Sequence, residues 1–507
     1  MNLSENDQQG FVIRGAHVYD HENDTDHPPI ADVVVRGDRI VAVERAASEQ
    51  HADLPAIQLE RHLLVPGFVN AHFHSHDALA KGVFETLPLE RWSLLNSPVG
   101  AGRPLEEVRL RTMVAAVECI RNGITTIQDF ATIAPMQPEY VKALLAGYAA
   151  VGIRVVLSVS LRDQSQLQTL PWADELVPAE LRELFGGAQP DGDHQLAFVG
   201  KQMDRITLSD RVTWAVSPSS PQRCTFDFLS RIAKFAESRD LRIFTHVNES
   251  KLQRLLARSR HTAFNGSEID YLEAAGLLGP RTTMAHGIWL DPDELEKIGD
   301  HGSSVVLNLF SNLKLRSGFA PLTAYRQRGI PLALGSDSCS CGDMKSMTES
   351  MRLYCLLGAA TGPDSDRPTA AEAMRLATIG GANALGMAAA LGQIKPGMSA
   401  DLVAIDLNDP AWQPFNSAAR QLVFTETGRG IRHVWVGGQQ VVRDGRCTLI
   451  DEDKIQHEVE AIMPAVRRNL DAFAKKATAT DEVFRRIYER ACASNQPTDL
   501  NRFLPNP

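Results

Sequence analysis

Val65-Pro66-Gly67-Phe68-Val69-Asn70-Ala71-His72-Phe73-His74 runs from an apolar stretch through a Pro-Gly break into a short extended segment ending in His-x-His. Side chains of a strand alternate between faces, so His72 and His74 project from one side, about 7 Å apart along it. Two neutral imidazoles aimed at one point from a strand end suit a borderline metal such as zinc or iron. His-x-His alone is a weak sign, and the company it keeps along the chain gives it meaning.

After His74, apolar runs of four to six residues alternate with helical patterns such as Glu106 to Asn122 and Phe226 to Arg239. The runs centre on Thr125–Asp129, Arg154–Ser160, Val212–Val216, Arg242–His246, Thr283–His286, Ser304–Asn308 and Pro331–Gly335. With the His-x-His strand they make eight, which predicts a parallel (β/α)8 barrel, and the roughly 330 residues from 67 to 395 fit its usual size. Residues 11–65 read instead as short β-branched strands broken at a Gly-Asp turn, and similar strands return after Pro396-Gly397. The expected fold is therefore a TIM-like α/β barrel with a small β-sandwich. Segments 1–66 and 396–450 build the sandwich together, because neither has enough strands to bury an apolar face alone. Residues 451–492 are expected as amphipathic helix and Asn495 to Pro507 as an extended tail, closing a final segment 451–507.

With 507 residues, 44% hydrophobic and 22% charged, the chain has the composition of a globular protein with one large domain and a smaller one. A net charge of −10 argues against non-specific nucleic-acid binding. No uncharged apolar run reaches the roughly 18 residues of a membrane span, and the N-terminus is unlike a secretory signal. Seven cysteines, odd in number and mostly far apart, favour reduced thiols in a cytoplasm. Cys339-Ser-Cys341 lacks a second pair and reads as ordinary residues. The expected partners are a small-molecule substrate and further copies of the chain, as a homodimer or homotetramer, with no nucleic acid and no membrane.

Polar residues gather at the strand ends. His72 and His74 end strand one, His246 ends strand five, His286 ends strand six and Asp337 follows strand eight. In a (β/α)8 barrel these ends converge on one mouth, where active sites are built. Three His and one carboxylate are a competent set for one divalent ion that keeps a position open for water. Glu249, three residues after His246, can flank the ion without ligating it, where a proton carrier belongs. His286 would face the same water. Any one of these residues could be a polar loop residue or a helix cap; five on the right strands of one barrel are harder to explain so. His76 is surplus to the set. Gly380-Gly-Ala-Asn-Ala-Leu-Gly386 has no strand before it and no Lys after it, so its glycines read as helix-packing positions rather than a nucleotide loop.

Pro66-Gly-Phe-Val-Asn-Ala-His-Phe-His74, Leu87-Pro-Leu-Glu-Arg-Trp92, Thr245-His-Val-Asn-Glu249, Met284-Ala-His286, Ser311-Asn-Leu-Lys-Leu315, Leu334-Gly-Ser-Asp337 and Ile394-Lys-Pro-Gly-Met-Ser-Ala-Asp-Leu-Val403 together carry a resemblance. From the first hairpin to about residue 450 the chain resembles the amidohydrolase superfamily. Within it, it is similar to the mononuclear branch of guanine, adenosylhomocysteine and methylthioadenosine deaminases and triazine hydrolases. The resemblance implies one divalent ion per chain, zinc with iron as the alternative, held by His72, His74, His246 and Asp337. It makes Glu249 the proton shuttle and His286 the residue that holds the attacking water and the developing oxyanion, so that Glu249, His286 and Asp337 are the catalytic residues. Strand four offers no bridging lysine, which fits a single ion. Three departures touch the substrate shell. Ser219 stands where relatives carry a His, strand seven ends at Asn308 without the usual His-Asn-Pro, and Ser338-Cys-Ser-Cys-Gly-Asp343 follows the ligand Asp337. Trp92, in the apolar insertion from Gly82 to Pro104 that must lie over the mouth, joins Ser219 and Asn308 as an expected substrate contact. The implied reaction is hydrolytic deamination or dealkylamination of an N-heteroaromatic ring. Hydrolysis of an amide, urea, carbamate or aryl halide is the alternative, and a non-catalytic binding protein on the same fold is a third reading.

Overall fold

The computed structural model describes residues 10–45, 51–100, 102–186 and 191–494. The chain opens with five short strands, β1 (Phe11–Val18), β2 (Ile30–Arg36), β3 (Arg39–Glu44), β4 (Ala56–Gln58) and β5 (His62–Pro66). Gly37, at φ 57°, makes the tight turn between β2 and β3 that a primed hairpin turn requires.

A second set follows: β6 (Phe68–His74), β7 (Ile124–Ala131), β8 (Arg154–Leu161), β9 (Val212–Pro218), β10 (Ile243–Val247), β11 (Thr282–His286), β12 (Ser304–Leu307), β13 (Leu332–Leu334) and β14 (Asp337–Ser338). All of their pairings are parallel. The eighth barrel strand is divided between two partners. β13 pairs with β12, whereas β14 pairs with β6, Asp337 lying opposite Phe73 and Ser338 opposite His74, and this closes the ring. Gly335 lies in the gap between the two halves, where an added Cβ would come within 2.3 Å of Asn308 Oδ1, so no larger residue fits. Ser336 N–H donates to His72 O at 3.1 Å. It donates also to Asn70 Oδ1 at 3.0 Å, and Asn70 Nδ2 returns a bond to Ser336 Oγ at 2.7 Å. These bonds hold the Asp337 turn directly beside the His-x-His strand.

The barrel interior is filled by Val69, Ala71, Phe130, Val156, Ala215 and Phe244 among others, and Ala384 and Leu385 join the same cluster. An added Cβ at Gly381 would meet Val69 Cβ at 2.6 Å, so the glycines of 380–386 let a helix approach the strands closely.

The chain then returns to the first sheet with β15 (Leu402–Asp406), β16 (Ile431–Val436), β17 (Gln439–Arg443) and β18 (Arg446–Cys447). The order is β18-β17-β16-β15-β5-β1-β2-β3, with β4 paired to β1. β15 lies antiparallel to β5 from Leu402 opposite Pro66 to Asp406 opposite His62, so both ends of the chain share one sheet. Its apolar face is a cluster of Ile13, Val33, Leu64, Leu402 and Trp435.

Residues 451–492 form helices Glu452–Ala477 and Asp481–Cys492. Phe484 and Ile487 of the second pack in one cluster with Leu94 and Leu170, so this helix folds back over the segments that follow β6 and β8. The insertion after β6 is not a bare loop, for Leu89–Gly100 is helical. The expected extended tail, 495–507, lies outside the described residues. No helix among the described residues is long and apolar enough to cross a membrane.

Candidate active site

His72 and His74 leave β6 on its inner face while Phe73 between them joins the outer core. Their rings sit 4.8 Å apart, centroid to centroid. Asp337 Oδ1 lies 3.5 Å from His72 Nε2 and 3.3 Å from His74 Nε2. His246 Nε2, from β10, is 3.3 Å from His74 Nε2. Four potential donor atoms from three separate strand ends therefore face one small volume.

Their outer atoms fix the inner ones. His74 Nδ1 is 2.8 Å from Phe130 O, and His246 Nδ1 is 2.7 Å from Ser219 O. A carbonyl only accepts, so both Nδ1 atoms carry the proton and both Nε2 lone pairs point inward, the usual arrangement behind a ligating imidazole. Burial pushes His72 down to about 4 and holds His246 well below the ordinary histidine range. Both rings are thus neutral at pH 7, as ligation requires. His72 Nε2 is buried without a hydrogen-bond partner. A buried, unpaired nitrogen is costly, and a cation bound among these atoms would satisfy it. The donor set fits one N/O-ligated divalent ion.

Two further groups face the cluster. His286 ends β11 at φ 72°, an uncommon backbone state for a side chain of that size, and Asp337 has φ 57°. Such outliers gather at functional sites. His286 Nδ1 is 2.8 Å from Asn312 Oδ1, which leaves Nε2 at 3.8 Å from Asp337 Oδ2 and 3.6 Å from Glu249 Oε2. Burial, reinforced by the Asp337 and Glu90 carboxylates, raises Glu249 well above the ordinary range, and its Oε1 has no partner. The Glu249 loop is stiff. Asn248 N–H donates to Glu268 at 2.8 Å, and Asn248 O accepts from Ile288 N and Trp289 N at 3.1 and 2.9 Å.

The cluster opens into a cavity of about 280 Å³. Trp92 and Ser219 lie in its wall, as does His76. Trp92 Nε1 donates to Ser340 Oγ at 3.0 Å, which ties the Leu89–Gly100 helix to the loop after Asp337. Asn308 does not line that cavity: it is buried, with Oδ1 close to Gly335. Cys339 and Cys341 are buried, and burial raises both thiols, so they remain neutral packing residues.

Several supports have no signal at the strand ends. Ser311 Oγ donates to Asp337 Oδ2 at 2.5 Å, and with Asn312 this explains the Ser311-Asn-Leu-Lys stretch as a brace for Asp337 and His286. Lys345 Nζ donates to Asp337 O at 2.8 Å and Ser338 O at 3.0 Å. Asp77 accepts from Cys339 N and Ser340 N at 2.8 and 3.0 Å. Arg162 and Arg223, which the strand-end pattern also misses, line the cavity.

The model of the amidohydrolase family matches residues 63–441. The 5'-deoxyadenosine deaminase of Methanothermobacter thermautotrophicus is 29% identical over 436 residues, covering 85% of this chain and 93% of its own. The 5-methylthioadenosine/S-adenosylhomocysteine deaminase of Nitratidesulfovibrio vulgaris is 31% identical over 404 residues, 80% of this chain and 84% of its own. Among solved structures, a zinc-bound adenosine deaminase from Xanthomonas campestris superposes with a TM-score of 0.78 at 24% identity, covering 90% of this chain and 98% of its own.

Proposed function

The chain belongs to the amidohydrolase family, and from that premise we propose a metal-dependent hydrolase that cleaves a C–N bond of a small N-heteroaromatic molecule, by deamination or dealkylamination. The observation that carries this reading is the convergence of His72, His74, His246 and Asp337 beside an unpartnered Glu249 oxygen in one cavity. The four residues would hold one ion, zinc as in the Xanthomonas relative or iron as the alternative. Bound there, the ion supplies the Lewis acidity that makes a water molecule acidic near neutral pH.

The chain's own residues do the rest. Glu249 accepts the proton of the attacking water at its free oxygen and delivers it to the leaving or ring nitrogen, acting first as base and then as acid. Burial holds the Glu249 carboxyl well above the ordinary glutamate range, which favours its returning the proton it has taken. His286, held by Asn312, presents Nε2 to the oxygen on which charge develops. Asp337 orients the water. Trp92 closes the mouth and offers a flat apolar surface to a ring, while Ser219 contributes a hydroxyl at the wall.

Ser219 also favours a second reading. A hydroxyl there suits the carbonyl of an amide, urea or carbamate as well as a ring nitrogen, and the same proton path would serve that cleavage.

Zinc-loaded protein should be screened against aminated heteroaromatics, ureas and carbamates, with ammonia or amine release measured in parallel. Turnover of aminated rings that is lost on chelation and restored by zinc is the expected result. Turnover of carbamates alone would transfer the assignment to the second reading, and activity indifferent to chelation would overturn both.

A further inference from the structure

β8 and β9 run in parallel register to their ends, Leu161 lying opposite Pro218. The loops that follow are stitched together: Ser219 N–H donates to Leu161 O at 2.7 Å, and Asp163 N and Gln164 N donate to Arg223 O at 3.2 and 3.0 Å. Gln195 brackets the backbone of Arg162 on both sides, accepting from its N–H at 3.0 Å and donating to its carbonyl at 2.8 Å. Asp163, the carboxylate next in sequence, receives Thr225 N at 2.8 Å and Thr225 Oγ1 at 2.5 Å. These bonds bring Arg162 and Arg223 onto one wall of the cavity that also holds Glu249 and Asp337.

Two other buried arginines have carboxylates. Arg103 forms a fork with Glu107 at 2.7 and 2.6 Å, and Arg254 is paired with Glu294 at 2.8 Å and with Asp291. Arg162 and Arg223 have none. Among the described residues neither guanidinium makes an ion pair or a side-chain hydrogen bond, and Arg223 Nε is buried with no partner. Burial, with the Arg162 charge second, pulls Arg223 down to about 9, a sign that the two cations oppose each other. The adjacent Cys224 thiol is raised by burial to about 12 and stays neutral, so it supplies no counter-charge. Two unpaired cations on a shared, sheltered wall cost stability, unlike an exposed pair in bulk water.

We propose that Arg162 and Arg223 form an oxyanion subsite, so that the substrate carries a carboxylate or phosphate group away from its reacting carbon. The planar forks of two guanidiniums match either oxyanion bidentately, whereas a neutral ring would leave both charges unpaired. Position agrees with this division of labour. The proposed ligands come from the first, fifth and eighth barrel strands and the arginines from the loops after the third and fourth, so the reacting centre and the anion occupy different parts of one cavity. The inference rests on the hydrolase reading of the site and narrows its substrate to an anionic small molecule.

Two measurements test it. Titration calorimetry on zinc-loaded protein with inorganic phosphate and with benzoate should show millimolar binding of one or both, and the probe preferred tells phosphate from carboxylate. Arg162→Gln and Arg223→Gln should each weaken that binding at least tenfold, while Arg223→Lys, which keeps the charge, should lose only a few fold. The Lys variant and Arg162→Gln carry the test if Arg223→Gln fails to fold. Wild-type protein that binds neither probe, or variants that bind as well as wild type, would overturn the subsite. Second, aminated pyrimidines should be compared with and without a carboxylate or phosphate substituent. The ratio of kcat/KM, anionic over neutral, is expected to exceed about 100 in wild type and to fall about 100-fold in the Arg162→Gln, Arg223→Gln double variant. A ratio near one in wild type refutes the subsite and leaves the hydrolase reading intact. Arginine-dependent anion binding with no turnover of any aminated ring, urea or carbamate keeps the subsite and refutes the hydrolase reading instead.

Discussion

Glu249→Gln separates chemistry from architecture. The amide keeps the size of the carboxyl and removes its capacity to take a proton from water. Little holds this side chain in the structure: Oε1 has no partner, and Oε2 is 3.6 Å from His286 Nε2, beyond a hydrogen bond. Folding stability should therefore not fall. Burial raises the folded pKa of Glu249 above its unfolded value, so its contribution to stability is full below the ordinary Glu range and is lost as pH rises. The amide removes that loss, and the melting temperature at pH 7 should hold or rise. Catalysis should suffer by the roughly 10²–10⁴-fold expected for a missing general acid–base, about 2.7–5.4 kcal/mol at about 1.36 kcal/mol per decade. Glu249→Asp should be nearly as poor, because shortening the arm by about one bond length takes the carboxylate out of the roughly 2.6–3.2 Å range of proton transfer. The assay is kcat/KM on the substrate found by screening, with zinc content and melting temperature measured on the same preparations. A Gln variant with full metal occupancy and activity within a few fold of wild type would remove Glu249 from the mechanism and leave Asp337 or His286 as the base.

A His72→Ala, His74→Ala double variant should lose the ion; metal analysis should give about one per chain for wild type and below about a tenth for the variant, and two ions per chain in wild type would refute the single site. Trp92→Ala should raise KM for a flat substrate by about tenfold, the scale of one lost ring contact of roughly 1.4 kcal/mol, and unchanged kinetics would mean that the residue only bridges the mouth helix to Ser340. Glu268, pushed up from 4.5 to about 8 by burial, should keep its full stability contribution below about pH 4.5 and lose it as pH rises through about 8, at most about 5 kcal/mol. Glu268→Gln should therefore flatten the decline of the denaturation midpoint between pH 5 and 9, and parallel pH profiles for the two proteins would refute that assignment.

The barrel and the donor residues were legible because both obey local rules. A strand end names its own last residue, and a parallel α/β order sends eight such ends to one rim, so His72, His74, His246, His286 and Asp337 could be read without knowing any distance. The shared sheet was legible for a similar reason: β5 and β15 are each too short and too apolar to stand unpaired. Asn308 shows where that logic stops. It follows β12 directly, much as His286 ends β11, yet it does not line the cavity. Position along a strand end fixes height on the barrel, not access to the mouth. The braces are a different class. Asp77 holds a loop some 260 residues away, Lys345 caps the carbonyls of the turn that carries Asp337, and the second C-terminal helix meets Leu94 and Leu170. None of these contacts has a periodicity or a spacing to announce it, since each depends on which loops the barrel happens to make neighbours. Arg162 and Arg223 lie furthest from such rules. An arginine in a sequence is by default a solvated or paired charge, and only the surrounding structure shows that a counter-charge is missing.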